Sequence, residues 1–303
     1  KLEERLNTST VACEEAAKNQ IPDQTNILDQ EIQRKAVDLR ESGRYDEAID
    51  LLLRQIKQSS TDPNIPILLS HCYILNDNLE QAIIYVEKAK NINPNTASVG
   101  WNEARLLLKQ TKGNEALAVA EKTNKLFPAD VEGMGVLGAC LRVNGSFNRS
   151  LVYLNKAIEC NPNYAEAFIN RGLIRLTQND SVNALSDLER AHHLKPHIKE
   201  IWNLVLSLKT EFKDFENTIS LAEDMVRVDH LDEKIFANIA ICQQSLKNYD
   251  KASLYYKKAI NVKPDYLLAW VNLGSVFRHQ DRLVEALEAY NKALSIKPDY
   301  ADA

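Results

Sequence analysis

The chain is poor in glycine, with 9 glycines among 303 residues. Phosphate-binding loops and sheet proteins with many tight turns depend on glycine, because it adopts backbone conformations that other residues avoid. The sequence contains no P-loop of the form G-x-x-x-x-G-K-[ST] and no G-x-S-x-G nucleophile motif. We therefore expect no dinucleotide-binding or nucleotide-binding loop and no bound cofactor.

Long hydrophobic runs and a strongly basic charge are also missing. No apolar run approaches the roughly 18 residues that a membrane-spanning helix needs. The 37 Lys and Arg are outnumbered by 42 Asp and Glu, which gives a net charge of −5. Because nucleic-acid binding needs a concentrated basic surface, we expect neither a membrane nor a nucleic acid to be the partner.

Proline recurs at a fixed interval in most of the chain. Successive prolines are separated by 34 residues or twice that number, at Pro94, Pro128, Pro162, Pro196, Pro264 and Pro298. The one missing place is taken by His230, and the quartet KPDY occurs at residues 263–266 and again at 297–300. A fixed period in this range indicates an array of stacked repeats.

Each repeat has the pattern of two helices. In the last one, residues at i, i+3, i+4 and i+7 form one apolar helical face: Trp270, Leu273, Gly274 and Phe277. A second stripe follows a short polar turn: Ala286, Tyr290 and Ala293. The small residues Gly274 and Ala286 are expected to let the two helices approach closely, and the proline ends the second helix.

This pattern of aromatic, Leu-Gly, Ala, Tyr and Pro resembles the tetratricopeptide repeat family. The resemblance implies an all-α fold, a right-handed α-solenoid superhelix of helical hairpins, with the first helix of each unit on the concave face. Eight units are predicted, at about 29–62, 63–96, 97–130, 131–164, 165–198, 199–232, 233–266 and 267–300. The 199–232 unit is degenerate, with Leu206 in the small slot, and the first unit has Ser60 in place of proline.

The two ends do not follow the pattern. Residues 1–28 are expected to form an N-terminal helix or a linker. Residue 301 is expected to begin a ninth unit, since Tyr300 and Ala301 resemble Tyr164 and Ala165. A solenoid needs a polar cap, so we expect the sequence to belong to a longer chain.

The cysteines fit a structural role. Cys72, Cys140 and Cys242 share one repeat slot and are predicted to be small buried hydrophobes, and Cys160 lies in a slot that is apolar in other units. No C-x-x-C pair is present. Unpaired cysteines favour a reducing compartment, which for this chain suggests the cytoplasm.

A histidine cluster is the remaining candidate for metal binding. His192, His193 and His197 are interrupted by Lys195-Pro196 at a predicted helix end, so they are interpreted as a solvated loop. No catalytic pair stands out, and we predict that this segment is not an enzyme.

One slot on the first helices is rich in asparagine: Asn102, Asn170, Asn238 and Asn272. It lies about 200° around the helix from the aromatic slot and so points away from the hairpin seam. An amide both donates and accepts hydrogen bonds, which suits the backbone of an extended peptide. The slot is similar to the asparagine ladder of O-linked N-acetylglucosamine transferase repeat domains. The alternative is that these residues are merely soluble helix surface.

Three cations and a tryptophan lie near this slot: Arg105, Lys109, Arg142 and Trp101. They are predicted to favour an acidic or aromatic segment. A clamp for the tails of heat-shock chaperones is not expected, because that subgroup of the family has Lys after the aromatic slot and Asn after the small slot, and no unit here has either.

The leading hypothesis is a protein-interaction module that binds an extended peptide of a partner in its concave groove. A second is the substrate-recruiting arm of a larger transferase of the glycosyltransferase kind. A third is self-association, with residues 1–28 of one molecule in the groove of another.

Overall fold

The computed structural model describes residues 24–57, 64–227 and 232–300. In these ranges the chain forms sixteen α-helices and no strand. In chain order they are α1 Gln24–Glu41, α2 Tyr45–Ile56, α3 Asn64–Leu75, α4 Leu79–Ile92, α5 Ala97–Lys109, α6 Gly113–Leu126, α7 Val131–Val143, α8 Phe147–Cys160, α9 Ala165–Thr177, α10 Ser181–Leu194, α11 Lys199–Glu211, α12 Phe215–Arg227, α13 Glu233–Ser245, α14 Tyr249–Val262, α15 Leu267–His279 and α16 Leu283–Ile296. The all-α prediction is confirmed.

Some predictions fall outside the described residues. These are the helix or linker predicted for most of residues 1–28, the slots of Ser60 and His230, and the start of a ninth unit at 301. The first helix begins at Gln24, before the predicted start of the first unit at 29.

Consecutive helices form antiparallel hairpins, and every described hairpin turn is built in the same way. One residue in each turn has a positive φ of 57–77°, and these residues recur every 34 positions: Gly43, Asp77, Thr111, Gly145, Asn179, Lys213, Lys247 and Asp281. The residue after it donates its backbone N–H to a carbonyl five residues earlier, as in Asn78 N to Tyr73 O at 3.0 Å. This is the Schellman motif that ends a helix at a left-handed residue, so one local device ends all eight first helices.

The small slot of the repeat sets how closely the two helices of a hairpin pack. A Cβ atom on Gly274 would lie 2.7 Å from the ring of Tyr290, which is too close for real atoms. Ala286 is also buried in this contact. The predicted close approach of these two helices is confirmed.

A six-residue stretch from Gly133 to Gly138 has the spacing G-x-G-x-x-G that also occurs in dinucleotide-binding loops. It lies inside α7 rather than between a strand and a helix, which is the context that such a loop requires. A Cβ on Gly133 would lie 2.2 Å from the ring of Trp101, and one on Gly138 would lie 2.5 Å from Leu154. These glycines serve helix packing.

The chain divides into two compact units, residues 1–157 and 158–303. In the first, Trp101, Leu69 and Leu137 are among the largest fully buried side chains, and in the second these include Tyr256 and Leu206. Leu206 therefore fills the small slot of the degenerate repeat without leaving the core.

The cysteine predictions divide by slot. Cys72, Cys140 and Cys242 are each at most 1% exposed, as predicted. Burial raises the pKa of the Cys72 thiol to about 11 and that of Cys140 to about 12, which keeps both protonated. Cys160 is exposed, and so is Leu126 in the same slot, because this slot faces outward at the end of the second helix.

Candidate functional site

Asn102 is an internal lock rather than an exposed contact. It is 3% exposed in α5. Its Nδ2 donates to the carbonyl of Ile67 at 2.9 Å and to Oγ of Ser70 at 2.8 Å, and its Oδ1 accepts from Arg105 at 3.1 Å. The prediction that Asn102 lines a binding surface is corrected: its amide is used up in joining α5 to α3.

Trp101 is fully buried, at 0% exposed. Its Nε1 donates to Oδ2 of Asp130 at 2.6 Å, and its ring contacts the face of α7 at Gly133. Asp130 also caps the N-terminus of α7 by accepting from Glu132 N. Trp101 therefore offers no surface to a ligand, and the prediction that it anchors an interface is corrected.

The other three asparagines are half-buried. Asn170 donates from Nδ2 to the carbonyl of Glu166 at 2.8 Å, one turn earlier in α9. For Asn238 in α13 and Asn272 in α15 the described residues supply no hydrogen-bond partner to the side-chain amide. These two are the members of the predicted ladder whose amides remain available.

The contrast with Asn102 has a cause in the preceding unit. Ser70, which binds Asn102, occupies the small slot of its unit. The residues in that slot before Asn238 and Asn272 are Leu206 and Ala240, whose side chains have no polar atom. An asparagine in the same slot of the repeat is therefore satisfied in one unit and left open in others.

A pocket of about 460 Å³ lies at Asn272. Residues of α13, α14 and α15 line it: Ile241, Gln244, Ser245, Tyr249, Tyr256, Asn272 and His279. One wall is a stacked pair, Tyr249 and His279, with ring centroids 5.3 Å apart and planes 11° from parallel. On another, the Tyr256 hydroxyl donates to Oε1 of Gln244 at 2.9 Å. The pocket thus combines flat aromatic surface with one open amide, that of Asn272.

The predicted cations, all in the first compact unit (residues 1–157), are largely paired. Arg105 contacts Oε1 of Glu132 at 2.5 Å, and Lys109 contacts Oδ1 of Asp77 at 3.0 Å. The Arg105 guanidinium holds the pKa of Glu132 below its usual range, with a smaller contribution from Arg40. Two of the three predicted cations therefore already have carboxylate partners, and Glu132 is a residue that sequence reasoning missed.

Arg142, the third cation, is half-buried near the end of α7. Burial lowers the pKa of its guanidinium from the ordinary value.

Sequence reasoning also missed a buried ion cluster in the second compact unit, residues 158–303. Asp187 is 3% exposed, and its carboxylate accepts two hydrogen bonds from Arg171, at 2.7 and 2.9 Å, and one from Arg175 at 2.6 Å. The sequence held a signal, because Asp187 stands in a slot that holds Leu, Val, Tyr or Ala in the other units. All three charges are used in this contact, so it is structural.

The histidine cluster lies only partly in a loop: His197 is in the turn that follows α10, as the sequence had suggested, whereas the other two histidines are helical. His192 and His193 lie in the last turn of α10. His192 is half-buried with its ring centroid 3.9 Å from that of Trp202, and burial lowers its pKa. Among the described residues no three His, Cys, Asp or Glu side chains are placed to hold a metal ion. The described helices also include none long and apolar enough to cross a bilayer.

Comparison with protein families gives one description. Four models, each described as a tetratricopeptide repeat, match residues 39–100, 153–192, 233–266 and 268–300. Together the matches span more than half of the chain.

Two curated relatives show how the chain compares with longer proteins. It is 23% identical to superkiller protein 3 of Schizosaccharomyces pombe over 257 residues, which is 82% of this chain and 17% of that protein. It is 31% identical to the human protein O-mannosyl-transferase TMTC3 over 89 residues, which is 29% of this chain and 10% of that protein. The chain thus spans less than a fifth of the length of either relative.

Among solved structures, the fold is similar to that in the crystal structure of the APC/C hetero-tetramer Cut9–Hcn1. The TM-score is 0.69 with 13% sequence identity, over 89% of this chain and 53% of that one. At this identity the likeness shows a shared tetratricopeptide solenoid fold.

Proposed function

The chain belongs to the tetratricopeptide repeat family, and we propose that its second compact unit, residues 158–303, binds an extended polypeptide of a partner protein along α13 and α15. The coarser role, a repeat scaffold for protein–protein interaction, follows from the family. The observation that carries the finer proposal is the pair of open amides, Asn238 and Asn272, one repeat apart and with Asn272 in the 460 Å³ pocket.

The chemistry of the pair suits a peptide backbone. Each amide presents one acceptor and two donor hydrogens, so it can bond to both the N–H and the C=O of an extended chain. Each such hydrogen bond contributes about 0.5–1.5 kcal/mol. The stacked rings of Tyr249 and His279 add flat surface against which a side chain of the peptide can pack.

The test starts from a random dodecapeptide display library, because the partner is not identified. Peptides selected on the wild-type chain are labelled, and their Kd is measured by fluorescence anisotropy. The double variant Asn238→Ala, Asn272→Ala is expected to bind about 5–150-fold more weakly, which corresponds to about 1–3 kcal/mol. The control is Asn114→Ala, an exposed amide in the first unit that is expected to leave Kd unchanged. Equal affinity of wild type and double variant contradicts the proposal.

A second candidate is a recruiting arm within a larger group transferase. The match to TMTC3, a protein O-mannosyl-transferase, favours it. Sequencing the transcript on both sides of the region that encodes this chain tests the idea. A further stretch of non-repetitive α/β pattern supports it, whereas a polar capping helix followed directly by a stop codon contradicts it.

A further inference from the structure

A larger pocket, of about 750 Å³, lies between α14, α15 and α16. Trp270 and Phe277 of α15 form its floor, and its walls include Lys257 of α14 and Ala289 and Lys292 of α16. It lies over the face of α15 that carries the aromatic slot, whereas Asn272 lines the other pocket. The two pockets are therefore separate sites.

The pocket exists because Ala289 is the smallest residue in its repeat slot. The other units have larger residues there: Leu51, Tyr85, Val119, Tyr153, Asp187, Leu221 and Tyr255. The apolar and aromatic members of this set all pack against the hydrophobic core next to them. The charged member, Asp187, fills the place with its two arginines. In the last unit the slot holds only the methyl group of Ala289, and the pocket lies beside it.

The unit before it shows what fits. The ring of Tyr255 packs at 6.4 Å from that of Phe236, and Nζ of Lys258 lies 4.7 Å above the Tyr255 ring. The Tyr255 hydroxyl donates to Oε1 of Glu223 at 3.2 Å. A phenol thus finds an aromatic floor, a cation over its face and a polar group at its hydroxyl.

The last repeat has similar residues around the equivalent position but no tyrosine there. Trp270 replaces Phe236, Lys292 replaces Lys258, and Lys257 replaces Glu223. The floor stays aromatic and the cation stays in place, while the group at the hydroxyl changes from an acceptor to a donor. We infer that this pocket binds a tyrosine side chain of a partner protein, with its ring on Trp270, the Lys292 ammonium over its face and its oxygen accepting from Lys257.

The probes for this site are p-cresol, which is the tyrosine side chain, and N-acetyl-L-tyrosinamide. Each is titrated into the ¹⁵N-labelled chain while the indole N–H signal of Trp270 is followed, with Trp270→Phe for its assignment. Saturable shifts with a Kd in about the millimolar range are expected for ligands of this size. No saturation up to the solubility limit overturns the inference, and so does binding of p-cresol without N-acetyl-L-tyrosinamide, because the pocket must admit a backbone.

Three comparisons make the test specific. Ala289→Tyr is expected to weaken p-cresol binding at least tenfold, because the new side chain fills the pocket from within. If the tyrosine variant does not fold, Ala289→Leu takes its place and is expected to weaken binding in the same way. Tyr255→Ala is expected to open a second, equivalent pocket and to raise the number of bound p-cresol molecules from one to two. Cyclohexanol has a similar shape without a π face, so equal affinity for it would refute the aromatic role. None of these readouts depends on the Asn238 and Asn272 surface, so each proposal can fail alone.

Discussion

Asn102→Ala is expected to lower the free energy of unfolding by about 2 kcal/mol. The buried side chain makes three hydrogen bonds, two as donor and one as acceptor, and each contributes about 0.5–1.5 kcal/mol. Three such bonds together contribute about 1.5–4.5 kcal/mol. The expected loss lies in the lower half of this summed range, because the Ile67 carbonyl keeps its bond from Ser70 Oγ at 2.8 Å and is not left unpaired. Asn238→Ala and Asn272→Ala break no side-chain hydrogen bond within the described part of the chain and are expected to change stability by less than about 0.5 kcal/mol.

The assay is urea unfolding followed by circular dichroism at 222 nm for all three variants under one set of conditions. Since repeat arrays can unfold in parts, hydrogen exchange of the α5 amides is measured beside it. The double-mutant cycle with Ser70→Ala isolates the contact between α3 and α5, with an expected coupling of about 1 kcal/mol. The reasoning is refuted if Asn102→Ala costs less than about 0.5 kcal/mol, or if Asn238→Ala costs as much as Asn102→Ala.

Two further predictions concern stability. Burial lowers the pKa of His192, so its contribution to stability is present above the unfolded value of 6.5 and is lost as pH falls below it. The free energy of unfolding should therefore drop between pH 7.5 and 5.5. His192→Ile, which introduces the residue found at Ile158 and Ile260 in the same slot, should remove that part of the pH dependence, and an unchanged slope would contradict the account. Thr111 has φ 60°, which is unfavourable for a β-branched residue. Thr111→Asn should therefore raise the free energy of unfolding by about 1 kcal/mol in urea titrations, whereas Gly145→Ala at φ 73° should lower it. If neither variant changes the free energy of unfolding, the left-handed turn carries no strain.

Periodicity was enough to predict the fold, since a 34-residue interval and two apolar stripes require a helical hairpin in every unit. It also identified the buried cysteine slot, because a column of the repeat shares one environment. The turn geometry was not foreseen. The left-handed position holds Gly, Asp, Thr, Asn and Lys in different units, so no residue type marks it, and the Schellman hydrogen bond is made by the backbone.

In the candidate site, the repeat slot alone does not predict whether a side chain is available for binding. Asn102, Asn238 and Asn272 share a slot, yet the amide of Asn102 is hydrogen-bonded inside the protein and the other two amides are open. What separates them is a residue in a different column of the preceding unit, Ser70 against Leu206 and Ala240. A slot on a repeat therefore has to be judged together with the slot that it faces one unit earlier.

The same logic indicates where in the repeat array a ligand site can form. In the column of Tyr255 an apolar or aromatic residue closes the space between neighbouring hairpins, which is all that stacking requires. Asp187 breaks the pattern but brings two arginines that restore the filling, so its unit stays closed. Ala289 breaks it with nothing in compensation and leaves an aromatic-floored pocket. A departure that the neighbours compensate is structural, and one that they leave open is the place to look for a ligand.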